Sequence, residues 1–177
     1  QDGRTIELRI DMIDGYGQDS FAVLGFIPTA NDPKSLAGYA IAKSSTDVLI
    51  TKGIGKYFYN ENPTPAIKNT NVTLVLTLTG EGPNVVIQGR ILDKDNANAV
   101  LFDQTFVDTP AEDVLSDGDD KNPSTPYLAT GRFVLFLYQD YLAGTDHYEV
   151  TLDNAVVWAP PSDASKAPEI SNVQPAN

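Results

Sequence analysis

Apolar residues recur at every second position along most of this chain. Ile6, Leu8, Ile10 and Met12 alternate with Glu7, Arg9 and Asp11, and Val72, Leu74, Leu76 and Leu78 alternate with Thr73, Thr77 and Thr79. Further on, Tyr148, Val150, Leu152, Val156 and Trp158 alternate with His147, Glu149, Thr151 and Asp153. A period of two puts successive side chains on opposite faces of a strand, one face buried and one wet. No stretch has a convincing period of 3.6. The pattern predicts strands near 4–12, 20–27, 38–43, 46–51, 56–60, 71–79, 84–92, 99–107, 132–140 and 147–158. The pattern predicts an all-β, antiparallel domain.

The connectors carry turn chemistry. Asp14-Gly15-Tyr16-Gly17 separates the first two strands, and Thr79 to Asn84 and Asp93 to Asn98 read as hairpin loops, in which Asn and Asp tolerate left-handed backbone. The span from Val72 to Phe106 is thus a three-stranded meander. Two prolines make Asn60 to Pro65 a stiff extended loop. Residues 108–131 form a long excursion, of the kind that serves as a binding loop or is mobile.

After residue 158 the composition shifts to Pro, Ser, Ala and Asp, which predicts a β-sandwich domain over 1–158 and a stiff Pro-rich linker over 159–177. The stretch from Pro168 to Asn177 looks like the opening of a further module. The chain starts at Gln1 and reads as one piece of a longer, secreted or cell-surface protein.

The chain has 177 residues, 41% of them hydrophobic, enough for a real core. With 12 basic against 24 acidic residues the formal charge is -12. That balance leaves no basic stripe for nucleic acid and would be repelled by an anionic membrane surface. No apolar run approaches the roughly 20 residues that span a bilayer, so membrane insertion is not expected. With no cysteine, neither a disulfide nor a thiolate metal site can form.

Three stretches carry a resemblance. They are Asn69 to Thr79, Arg90 to Phe102 running on to Val107-Asp108-Thr109-Pro110, and Tyr148 to Val157 with Thr151, Asp153 and Asn154. Together they resemble a concanavalin A-like (laminin-G-like) jelly-roll domain of secreted bacterial multidomain proteins, over about residues 4–158. The resemblance implies two stacked sheets, one commonly concave and able to hold a glycan. It also implies that the closing Thr-x-Asp-Asn strand pairs with the first strand. Members usually begin with a short acidic-aromatic strand ahead of this point; with the chain starting at Gln1, that strand is either absent or supplied by upstream residues.

Some enzymes on that fold place three acids at alternate positions of one strand. Glu7, Arg9 and Asp11 share a face, but Arg9 sits between the acids and would neutralise them; Glu149, Thr151 and Asp153 lack a third acid. Neither is the carboxylate pair that glycoside hydrolysis needs, and a solvated charged face accounts for both. His147 is the sole histidine and there is no Gly-x-Ser-x-Gly elbow, so we expect no catalytic residues.

Acidic loops suit calcium, which takes oxygen ligands. The candidates are Asp93 and Asp95, then Asp117 and Asp119, then Asp153; none has EF-hand spacing, and the first run also reads as a plain hairpin turn. Sugars are held by aromatic faces and polar groups. Tyr57 and Tyr59, two apart and so expected on one face, are the first candidates, followed by Tyr138, Gln139 and Tyr141, with Tyr16 and Tyr39 as others. Trp158 ends the last strand on the face that alternation makes apolar, where a core or rim plug competes with a ligand platform. The expectation is a non-catalytic carbohydrate-binding or adhesion module for a neutral polysaccharide or cell-surface glycan, touching neighbouring modules of its parent chain. A structural spacer or assembly domain is the rival, and a glycoside hydrolase-like enzyme ranks third.

Overall fold

A computed structural model describes residues 3–13, 20–28, 38–44, 47–52, 56–61, 63–68, 71–109, 115–116, 131–139 and 151–158. Eleven strands lie among them: β1 (Thr5–Ile13), β2 (Ser20–Pro28), β3 (Tyr39–Lys43), β4 (Val48–Lys52), β5 (Lys56–Glu61), β6 (Val72–Glu81), β7 (Asn84–Asp93), β8 (Ala99–Asp108), β9 (Leu115–Ser116), β10 (Gly131–Gln139) and β11 (Thr151–Trp158). The one helical element among the described residues is a 3-10 turn, Lys94–Asn96. All-β is therefore the fold class. One departure from the sequence reading stands out. The long excursion after β8 contains a two-residue strand, β9, paired with β5. The last strand is described only from Thr151, so the expected stretch 147–150 lies outside the described residues.

The strands form two antiparallel sheets. A five-stranded sheet has the order β11-β1-β6-β7-β8, and a six-stranded sheet has the order β10-β2-β3-β4-β5-β9. The closing strand pairs with the first, as the resemblance implied, with Asp11 opposite Asp153. The meander β6-β7-β8 forms as expected. Gly82, at φ +59°, supplies the backbone that the tight β6–β7 turn requires.

Alternation decides which residues face inward. Leu8, Ile10 and Met12 of β1, Leu74, Leu76 and Leu78 of β6, and Ile87 and Ile91 of β7 join Ile41, Val48 and Ile50 of the other sheet in one buried cluster. Each such side chain contributes about 1.5–3 kcal/mol of burial. Gly89 leaves room for the opposite sheet: a Cβ there would lie 2.5 Å from Ile50 Cδ1 and 3.1 Å from Ile41 Cδ1. At the β5–β8 border, aromatic rings fill the gap, with Phe58 against Phe106 and Tyr59 edge-on to Phe102 at 5.0 Å.

The core is apolar in the middle and ionic near the ends of β3 and β4. The inward series Tyr39-Ile41-Lys43 and Val48-Ile50-Lys52 each finish on a lysine, and all six residues are buried. Lys52 Nζ pairs with Asp108 of β8 at 2.8 Å, and the Tyr39 hydroxyl donates to the same carboxylate at 2.6 Å. Lys43 Nζ donates to the Ser44 carbonyl at 2.7 Å. Burial alone pushes the Lys43 ammonium down to about 8.

Candidate functional site: the outer face of the five-stranded sheet

Paired residues of neighbouring strands point to the same side of a sheet. Two rows therefore cross the outer face of the five-stranded sheet. One runs Trp158, Glu7, Thr77, Gln88, Thr105, and the next runs Val156, Arg9, Val75, Arg90, Asp103. Each row steps across five strands, roughly 19 Å at the usual strand spacing.

Trp158 reaches this face through a bulge. The register of β11 against β1 shifts between Arg9 and Asp11, which places Asp153 opposite Asp11 but Val156 opposite Arg9. One extra residue is taken up there, and Asn154 adopts left-handed backbone at φ 51°, which Asn tolerates. A one-residue shift turns every later side chain to the other side. Trp158 thus sits on the polar face beside Glu7, 55% exposed, rather than in the core or at its rim. This corrects the face that strict alternation predicts for it.

The polar groups of the face hold one another. Glu7 is clamped by two guanidinium groups, from Arg9 Nε at 2.6 Å and Arg90 at 2.8 Å, and Thr77 reaches the same carboxylate at 3.4 Å. The neutralisation of Glu7 by Arg9 expected from spacing is thus in place. Gln88 donates to Asp103 at 2.8 Å, and the buried Arg90 Nε finds no acceptor among the described residues. At the far end of the sheet, Asp11 accepts from Lys94, Thr73 and Asn154. Burial raises the Asp11 pKa, but those hydrogen bonds and the Lys94 charge outweigh it and hold the carboxyl below its ordinary value.

The residues singled out from sequence are not gathered in one place. Tyr57 and Tyr59 lie on β5, whereas Tyr138 and Gln139 end β10, opposite Phe21 and Ser20. Those strands are four steps apart in the six-stranded sheet, again roughly 19 Å. A register irregularity between Ile50 and Thr51 makes Phe58 an extra residue in β5. Phe58 and Tyr59 both pack against the core as a result. Burial, with the Glu61 charge, raises the Tyr59 hydroxyl above its usual value. Tyr39, another candidate, is a core residue at 1% exposure. Tyr141 and Tyr16 lie outside the described residues.

Of the acidic candidates, Asp93 accepts the backbone N–H of Asp95 at 3.0 Å and caps the 3-10 turn. Asp95 accepts from Asn71, and Asp153 accepts the N–H of Asn154 at 2.7 Å. Ala97 and Asn98 complete this turn with left-handed backbone. Asp117 and Asp119 lie outside the described residues. No group of three or more acidic or histidine side chains is gathered for a metal among the described residues. Alternation marked Glu7 and Arg9, but the Arg90 partner and the position of Trp158 depend on pairing and on a bulge, which local pattern does not carry.

No family model matches this chain, and neither a curated protein nor a solved structure matches it.

Proposed function

We propose that this chain is a non-catalytic carbohydrate-binding or adhesion module of a secreted bacterial protein, a concanavalin A-like jelly roll that holds a neutral polysaccharide. The observation that carries this reading is the exposed Trp158 ring at the end of a row of Glu, Thr and Gln side chains. A flat aromatic face beside placed polar groups suits a sugar ring and its hydroxyls. The charge balance favours a neutral ligand. The chain as a whole is at -12, yet the centre of this face carries Glu7 and Asp103 against Arg9 and Arg90. The site therefore moves from the tyrosines of β5 and β10 to the outer face of the other sheet.

A second reading, a spacer or assembly domain, draws on the exposed valines at both edges of the same sheet: Val156 and Val157 on β11, Val100 and Val107 on β8. Exposed edge strands with apolar side chains suit contact with neighbouring modules.

Affinity electrophoresis through soluble polysaccharides, with pull-down on insoluble ones, separates these readings. Retardation by a neutral polysaccharide is expected, with Trp158→Ala weakening it about tenfold, or about 1.4 kcal/mol. Retention that is unchanged in EDTA would remove calcium from the account. Binding to no polysaccharide, or binding indifferent to Trp158→Ala, would overturn the proposal.

A further inference from the structure

We propose that Lys52 and Asp108 are the two halves of an intramolecular isopeptide bond that joins the sheets covalently. The two residues come from β4 of one sheet and β8 of the other, 56 positions apart in sequence. Lys52 Nζ lies 2.9 Å from Asp108 Oδ1 and 2.8 Å from Oδ2. The Tyr39 hydroxyl, opposite Lys52 in the β3–β4 pairing, donates to Oδ2 at 2.6 Å. All three side chains are fully buried.

That setting supplies what amide formation needs. Amine and carboxyl are held within reach, so the reaction is unimolecular. Burial of both charges is costly in an apolar interior, and a neutral amide removes both. Bulk water, which drives the reverse reaction, is excluded. The Tyr39 hydroxyl is aimed at the oxygen on which negative charge develops when nitrogen attacks the carboxyl carbon.

The step balances without a co-reactant. The Lys52 ammonium gives up two protons, both of which end on Oδ1. Nζ bonds to Cγ, the Cγ–Oδ1 bond breaks, and Oδ1 leaves as water. Oδ2 becomes the amide carbonyl oxygen, still accepting from Tyr39, which is unchanged.

Among the described residues, the other pairs lack one of these conditions. Lys94 and Asp11 meet at a partly exposed position where water is at hand. Arg90 and Glu7 offer a guanidinium, which is a poor nucleophile. Lys43 is buried, but its hydrogen bond goes to a backbone carbonyl. A chain without cysteine has no disulfide with which to staple its sheets, and this pair would take that role.

Intact mass spectrometry of the folded chain, denatured just before injection after prolonged incubation, tests the proposal. The expected mass is one water below that of the sequence. A tryptic digest is expected to yield a branched peptide joining Lys52 to Asp108, with no cleavage after Lys52. Lys52→Arg and Asp108→Ala should each restore the full mass. An Asp-Gly pair such as Asp117-Gly118 can also lose water, so the branched peptide is decisive. The full sequence mass in the native chain, or a dehydration that maps elsewhere, would overturn the proposal whether or not the variants fold.

Discussion

Replacing Lys43 with methionine should stabilise this protein, by an amount that shrinks as the pH rises. Lys43 is 2% exposed, and burial brings its ammonium from 10.5 down to about 8. The unfolded chain keeps the ordinary value, so below about 8 the folded state carries the full penalty of a buried charge. A shift of that size is worth about 3 kcal/mol at pH 7. Between about 8 and 10.5 the folded lysine is neutral while the unfolded one still binds its proton, so raising the pH relieves the penalty. By pH 10 about 1 kcal/mol or less remains. Methionine has similar length and no charge, though it gives up the hydrogen bond to the Ser44 carbonyl, worth about 1 kcal/mol. The neutral amine at pH 10 still donates this bond, more weakly than the ammonium at pH 7, so this loss varies less with pH than the charge penalty does. The test is therefore the change in the difference between variant and native chain, about 2 kcal/mol between pH 7 and pH 10. Urea unfolding at the two pH values measures it, and groups common to both chains cancel. A difference that stays flat across this range would mean that burial of charge does not set the Lys43 contribution.

Two further substitutions probe other parts of the frame. Gly89→Ala places a methyl 2.5 Å from Ile50 Cδ1 in the middle of the core, and should cost about 1–3 kcal/mol in urea unfolding. Adding Ile50→Val removes the clashing atom and should recover part of that loss, a coupling that a double-mutant cycle reads directly. Asp11→Asn should destabilise by about 1–3 kcal/mol at pH 7 through its hydrogen bonds to Lys94, Thr73 and Asn154. Because the folded Asp11 sits below its unfolded value of 3.8, its contribution is complete above 3.8 and fades as the pH falls through the folded value. The gap between Asp11→Asn and the native chain should close in acid, and a gap that persists there would count against the assignment.

How far the fold could be read from sequence depended on whether a strand keeps its period. β1 alternates from Ile6 to Met12 and β6 keeps the period except at Val75, so the faces of Leu8, Leu74 and Leu76 followed directly. The β6–β7 hairpin followed from Gly82-Pro83, and the β7–β8 loop from its Asp and Asn residues. Failures came where one strand takes up an extra residue. In β11 the bulge at Asn154 moves Val156 and Trp158 from the expected apolar face to the polar one. In β5 the extra Phe58 brings Tyr59 onto Phe102 and away from open solvent. Both bulges are long-range in origin, since each is defined only against a partner strand. β9 is two residues long, too short for any period, and exists because β5 offers a free edge.

The same dependence on partners explains the two inward lysines. Lys43 and Lys52 occupy mirrored positions at opposite ends of the β3–β4 pairing, and each continues an apolar series of period two. From local pattern alone both would point inward and both would look like errors. What separates them lies elsewhere in the chain. Lys52 meets Asp108, which arrives from the edge of the opposite sheet inside the Val107-Asp108-Thr109-Pro110 stretch. Among the described residues, Lys43 meets the carbonyl next to it and no carboxylate, so its desolvation penalty goes uncompensated there. One buried amine is thus an attachment between sheets and the other a standing cost. Only the packing of the two sheets, which sets Asp108 of β8 against Lys52 of β4 and the β8 rings against β5, distinguishes them.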